Sequence, residues 1–109
     1  MNLTIDVSKN EDVHEVKLSG EIDVYTAPKL KDTLLPLTQE RGSTVHVYLD
    51  KIHYMDSTGL GVFISALKST KEYDSKILLI NLQERVFRLF DITGLKEVFQ
   101  IESSIRGGL

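Results

Sequence analysis

The sequence predicts an α/β protein: a single domain over residues 1–109, with a mixed sheet of four to five strands and helices packed mainly on one face. Three observations lead there. The chain opens with period-two alternation: Leu3, Ile5 and Val7 share one side, Thr4 and Asp6 lie between them, and Val16 and Leu18 repeat the pattern. From Ala27 onward, segments with apolar residues three and four apart alternate with short apolar runs, an order that implies parallel strands joined by right-handed crossovers. Finally, 109 residues without an internal repeat, linker or charge block match one hydrophobic core.

Each element follows in order. The polar cluster Ser8-Lys9-Asn10-Glu11-Asp12 is short enough to turn the first two strands into an antiparallel hairpin. Gly20-Glu21-Ile22-Asp23-Val24 then leads to Thr26-Ala27-Pro28, where Thr26 caps a helix beginning near Pro28, whose fixed φ suits a first helical position. Ala27, Leu30, Leu34 and Leu37 form its apolar stripe, and Lys29, Lys31 and Asp32 face water. Pro36 removes an amide donor and crowds the preceding turn, so a kink or early end is expected there, with Arg41-Gly42-Ser43 closing the segment. Val45, Val47 and Leu49 alternate with His46 and Tyr48 in a third strand ending near Asp50. After a short connection the second helix carries Leu60, Phe63, Ile64 and Leu67 on its core face, with Ser65, Lys68 and Glu72 outward. Lys76-Ile77-Leu78-Leu79-Ile80 reads as a buried interior strand. Asn81 and Glu84 have capping-box spacing ahead of a third helix with the stripe Val86, Leu89 and Phe90, stopped by Thr93-Gly94. A short strand is expected near Phe99 to Ile101, and Gly107-Gly108-Leu109 reads as a frayed end.

Composition narrows the function. Thirteen Lys and Arg against sixteen Asp and Glu leave a net charge of −3, so no general attraction to nucleic acid or anionic lipid is expected. The absence of cysteine excludes disulfides, thiolate metal sites and a cysteine nucleophile. The start lacks the basic and apolar regions of a signal peptide, and no run approaches the roughly 20 apolar residues of a membrane span. A soluble cytoplasmic protein with no membrane partner is expected.

One stretch departs from structural economy: Asp56-Ser57-Thr58-Gly59-Leu60-Gly61, where the end of a strand becomes a helix N-terminus, a usual place for ligands and partners in open α/β sheets. Ser, Thr and Asp are also ordinary caps, so a plain polar helix start fits the same residues. Gly59 and Gly61 shift the balance, because each costs about 1 kcal/mol relative to alanine inside a helix. Their missing side chains are read as leaving the backbone beside Ser57 open to another molecule. Four chemistries could use the hydroxyl. A nucleophile elbow needs glycine where Met55 stands. A phosphate-cradling loop needs a lysine where Val62 follows Gly61. His14, His46 and His53 lack the spacing of a metal set and read as surface or half-buried side chains. The fourth is a phosphoryl group on Ser57, stabilised by the helix dipole and free amides, opposed by Asp56, and acting on whatever docks beside Gly59 and Gly61.

Gly20-Glu21-Ile22-Asp23, Met55-Asp56-Ser57-Thr58-Gly59-Leu60-Gly61 and Asp91-Ile92-Thr93-Gly94-Leu95 together resemble the signatures of the STAS-domain anti-sigma factor antagonists, over essentially the whole chain. The segments Glu21 to Pro28 and Arg88 to Leu95 look most like the branch acting on the general-stress sigma factor, sigma-B, with the sporulation branch as the competitor. The resemblance implies the STAS fold and a partner switch. The unphosphorylated antagonist binds an anti-sigma factor that is also a serine kinase, and so frees the sigma factor. Phosphorylation of the serine matching Ser57 breaks the complex, and a metal-dependent PP2C-type phosphatase restores it. The chain would then be a kinase substrate without catalytic residues, cofactor or metal. Asp56, Thr58, Gly59, Leu60 and Gly61 would surround Ser57 in the docking surface, and Asp23 is similar to a family acid beside it; its plainer role is a turn former. Tyr25 and the polar side of the second helix are weaker candidates. The alternative is a nucleotide-binding or scaffolding STAS subunit of a larger stress-signalling assembly.

Overall fold

The structure, a computed structural model, describes residues 2–103; the expected frayed end at Gly107-Gly108-Leu109 lies outside them. Strand β1 (Leu3–Asn10) pairs antiparallel with β2 (Val13–Ile22) across a turn of Glu11 and Asp12. The polar cluster is thus mostly strand: Ser8, Lys9 and Asn10 continue the ladder, and Glu11 takes the left-handed conformation at φ 61°. Helix α1 (Ala27–Thr38) crosses to β3 (Thr44–Met55), α2 (Ser57–Tyr73) to β4 (Lys76–Ile80), and α3 (Glu84–Ile92) with a short 3-10 turn (Leu95–Glu97) to β5 (Gln100–Glu102). The five-stranded sheet has the order β1-β2-β3-β4-β5, and every pair after the first is parallel.

Alternation decides which face is covered. Val16, Leu18, Val45, Val47, Leu49, Ile77 and Leu79 point into the helical layer and are buried, whereas Lys17, Ser19 and Asp50 lie on the opposite, open face. Phe63 of α2, Phe90 of α3 and Phe99 pack edge to face with centroids 6.3 and 5.4 Å apart, which locks α2 and α3 over the same side of the sheet.

Several local expectations change. Helix α1 runs two residues past Pro36: the proline falls in its last turn, where the lost bond to the carbonyl of exposed Asp32 is tolerated, and Gly42 at φ 80° then reverses the chain. On α2 the buried apolar side chains are Leu60, Val62, Phe63 and Ala66, while Ile64 and Leu67 are only half-buried. Gln83, not Asn81, caps α3; Asn81 sits at φ 58°, and its amide donates to the carbonyl of Glu102. His14 is buried rather than superficial, its Nε2 3.0 Å from Oε1 of Glu40. That contact holds the Glu40 carboxyl below its ordinary range.

The largest difference is β3, which reaches Met55 rather than Asp50, so no loop separates it from Asp56. Its register against β2 slips twice, between the Lys17–Tyr48 and Ser19–Lys51 pairs and between the Gly20–Ile52 and Glu21–Tyr54 pairs, each time with one extra residue on β3. These bulges turn the buried period from two into three over Leu49, Ile52 and Met55, which hides the strand from an alternation argument.

Candidate functional site

The parallel strands β2 and β3 end side by side with Ile22 paired to Met55, and the amide of Asp56 donates to the carbonyl of Ile22 at 3.2 Å. Two polar turns leave this edge together. In the first, Asp56 is extended at φ −108° and ψ −173°, and its Oδ1 accepts from the amides of Thr58 (3.0 Å) and Gly59 (3.1 Å), capping α2. Ser57 is the first helical residue, and both Ser57 and Thr58 are exposed. Two first-turn amides are therefore already engaged by Asp56. They are not free to receive a phosphoryl group on Ser57, which leaves the helix dipole to favour its charge.

The two glycines separate. Gly59 is buried, and a Cβ there would stand 2.6 Å from Cγ2 of Ile22, 2.9 Å from Cγ of Met55 and 3.0 Å from the carbonyl oxygen of Ile22. It is glycine because α2 is pressed against the strand ends, not to leave space for a partner. Gly61 is half-buried with nothing within 4 Å of its would-be Cβ, which is the open backbone expected of both. Leu60 is buried at 7% exposure and reaches the surface only marginally.

The second turn leads from β2 into α1. Oδ1 of Asp23 accepts from the amides of Tyr25 (2.9 Å) and Thr26 (3.0 Å). The amide of Asp23 donates to Oγ1 of Thr26 at 2.9 Å, and that hydroxyl donates to the carbonyl of Glu21, also at 2.9 Å. Thr26 thus braces the preceding turn instead of capping α1 with its side chain. Asp23, only 6% exposed, acts here as a turn former, and little of it is left for direct contact. What the turn presents is Val24 and Tyr25, 56% and 82% exposed.

An open, mostly apolar groove of about 440 Å³ runs between the N-terminal halves of α1 and α2. Val24, Pro28 and Lys31 form one wall, and Thr58, Gly61 and Ser65 the other. Of the groove's walls the sequence singles out Thr58 and Gly61 as docking residues, and on the other side only Tyr25, the neighbour of Val24. The available signal was Val24 and Tyr25, two large apolar side chains inside a segment whose Asp23 and Thr26 are spaced to make a hydrogen-bonded turn. Among the described residues no group of His, Asp and Glu side chains is arranged to hold a metal ion, and no helix is long and apolar enough to cross a membrane.

Comparison with known proteins follows the same lines. The model of the STAS domain family matches residues 4–107. The anti-sigma-B factor antagonist of Bacillus subtilis (strain 168) is 47% identical over 109 residues, covering 100% of this chain and 99% of that protein. Among solved structures, an anti-sigma-factor antagonist (STAS) domain protein from Planctomyces limnophilus superposes with a TM-score of 0.81 at 15% identity, covering 95% of this chain and 93% of the other. The anti-sigma factor antagonist SpoIIAA superposes with a TM-score of 0.72 both unphosphorylated (12% identity, covering 96% and 93%) and phosphorylated (14% identity, covering 96% and 96%). At these identities the three structural likenesses establish the fold, a mixed sheet carrying its helices as described above.

Proposed function

Because the chain belongs to the STAS domain family and, within it, to the anti-sigma-B factor antagonists, we propose that it is a phosphorylation-controlled binding protein of the cytoplasm. Unphosphorylated, it binds an anti-sigma factor that is also a serine kinase and releases the sigma factor, sigma-B, to direct transcription of stress genes. The kinase transfers the γ-phosphoryl group of ATP to Oγ of Ser57, the hydroxyl proton is lost, and ADP leaves. A PP2C-type phosphatase hydrolyses the ester and restores binding. The chain is substrate and ligand in this cycle, not catalyst.

One observation carries the reading: Ser57 stands exposed at the first position of α2, beside the open groove, with its neighbouring amides engaged by Asp56. The added charge of about −1.5 to −2 is large against a chain total of −3. With Asp56 capping the helix, that charge has no seat within the fold and falls on the docking surface around Thr58 and Gly61, where it opposes association through repulsion and desolvation.

The test is to incubate the protein with ATP and the anti-sigma-B kinase and map the product by mass spectrometry. Label is expected on Ser57 alone. Ser57→Ala should fold normally and bind the kinase constitutively, and Ser57→Asp should bind weakly. Modification elsewhere with Ser57 untouched, or equal affinity of the two variants, would refute the proposal.

A further inference from the structure

We infer that Tyr25 is the anchor by which this protein grips its partner, held in place by Asp23 and Thr26 as positioning residues, and that grip and switch reside on two separate turns of one edge. The inference rests on the reading of Ser57 given above and adds to it the residue that supplies the affinity.

Tyr25 is 82% exposed, the most exposed large apolar side chain among the described residues, and Val24 beside it is 56% exposed. Ordering a loose loop on binding costs affinity. This turn is already ordered. The Asp23 carboxylate takes the amides of Tyr25 and Thr26, and the Thr26 hydroxyl ties the amide of Asp23 to the carbonyl of Glu21. Asp23 and Thr26 are 6% and 7% exposed, so two buried polar side chains are committed to fixing a turn that exposes an aromatic ring. Tyrosine is among the residues that dominate interface energetics, and it performs best when little freedom is lost on contact. The turn is also continuous with the proposed docking surface: Val24 lines the groove that Thr58 and Gly61 close on the other side, and Ile22 and Met55 pair directly beneath the two turns. The occupant is the anti-sigma factor, which must offer an apolar pocket that receives the ring while a neighbouring patch covers Ser57.

Titration calorimetry of the full chain against purified anti-sigma-B factor tests this. Tyr25→Ala is expected to melt like the wild type and to bind about 30-fold more weakly or worse, with Tyr25→Phe restoring most of the affinity. For the positioning role, Asp23→Asn keeps a side-chain oxygen able to accept from both amides and should bind within a few-fold of wild type, whereas Asp23→Ala should lose affinity. Weak binding by Asp23→Asn with an unchanged melting temperature would show that Asp23 meets the partner through its charge, and would overturn the positioning role. Wild-type affinity in Tyr25→Ala, alongside loss of binding in Ser57→Asp, would overturn the anchor and leave the switch standing. A wild-type chain that does not bind the anti-sigma-B factor at all would overturn both.

Discussion

Replacing Gly59 and Gly61 by alanine, one at a time, should move stability in opposite directions although the two lie half a helical turn apart. At Gly59 the new methyl would meet Ile22 and the Met55 side chain at 2.6 and 2.9 Å, where carbon contacts normally begin near 3.5 Å. The first turn of α2 would have to retreat by about 1 Å, loosening the 3.2 Å bond between Asp56 and Ile22 that joins the two strand ends. Overpacking of this kind costs about 1–3 kcal/mol, against which alanine returns about 1 kcal/mol of helix propensity, leaving a net loss of about 1 kcal/mol. At Gly61 nothing opposes the methyl, so the propensity gain of about 1 kcal/mol stands alone. For a domain of this size each kcal/mol moves Tm by roughly 4–8 °C, so melts followed by circular dichroism should separate the variants by roughly 10 °C, Gly59→Ala below wild type and Gly61→Ala above. Binding should not track stability: Gly61→Ala, the more stable protein, places a methyl in the groove wall and should bind its partner less tightly. A Gly59→Ala protein as stable as wild type would refute the packing argument. A Gly61→Ala protein that is both more stable and fully competent would leave the glycine without a functional reason.

Two further predictions concern pH. The hydrogen bond to His14 lowers the Glu40 carboxyl from its ordinary value of 4.5, so the unfolded chain binds the proton more readily than the folded one. The associated stability is complete above that value and is lost as pH falls through the folded pKa. Urea midpoints of wild type and Glu40→Gln should differ at about pH 6 and draw together towards about pH 3; a constant difference would contradict this. Burial, with the charge of Glu15 adding to it, pushes the phenol of Tyr48 above 10.0. The folded state keeps a proton that the unfolded state releases, so stability should decline as pH rises through ten, and Tyr48→Phe should flatten that decline. An ultraviolet titration should show one tyrosinate forming late, absent in Tyr48→Phe.

Where a single periodicity runs through an element, the sequence displays it. The β1–β2 hairpin and the three helices follow from alternation or from stripes three and four apart, and β4 from its short apolar run. Besides the bulged end of β3, three features escape such an argument. The true turn at Glu11 and Asp12 lies within a longer polar run that continues as edge strand, where both faces tolerate polar side chains. Gly59 looks like Gly61 in sequence, and only the approach of α2 to Ile22 distinguishes them. Asp23 reads either as a partner-facing acid or as a turn former and Thr26 as a helix cap; the structure joins the two as braces of a single turn, through bonds that span three residues and carry no periodic signature. Ser57 draws attention in the sequence through two glycines that capping alone does not require, and of these only Gly61 lies open in the structure.

The two bulges in β3 explain how the proposed grip and the proposed switch come to lie on one edge of the sheet. Continued without interruption from the Lys17–Tyr48 pair, the parallel ladder would set Ile22 opposite His53, carrying Met55 and Ser57 each two residues, about 7 Å at the rise of a strand, further past the end of β2 than they stand. Each bulge absorbs one residue of β3 and turns its side chains over once; two together restore the original facing, so Met55 is again buried and Ser57 emerges level with the Asp23 turn. One bulge alone would direct Met55 outward and carry the cap of α2 to the wrong face. The paired irregularity aligns a hydrogen-bonded turn bearing an exposed aromatic ring and an exposed hydroxyl on one edge, and under the proposed function charge added to the second would act on the same polypeptide that the first would hold.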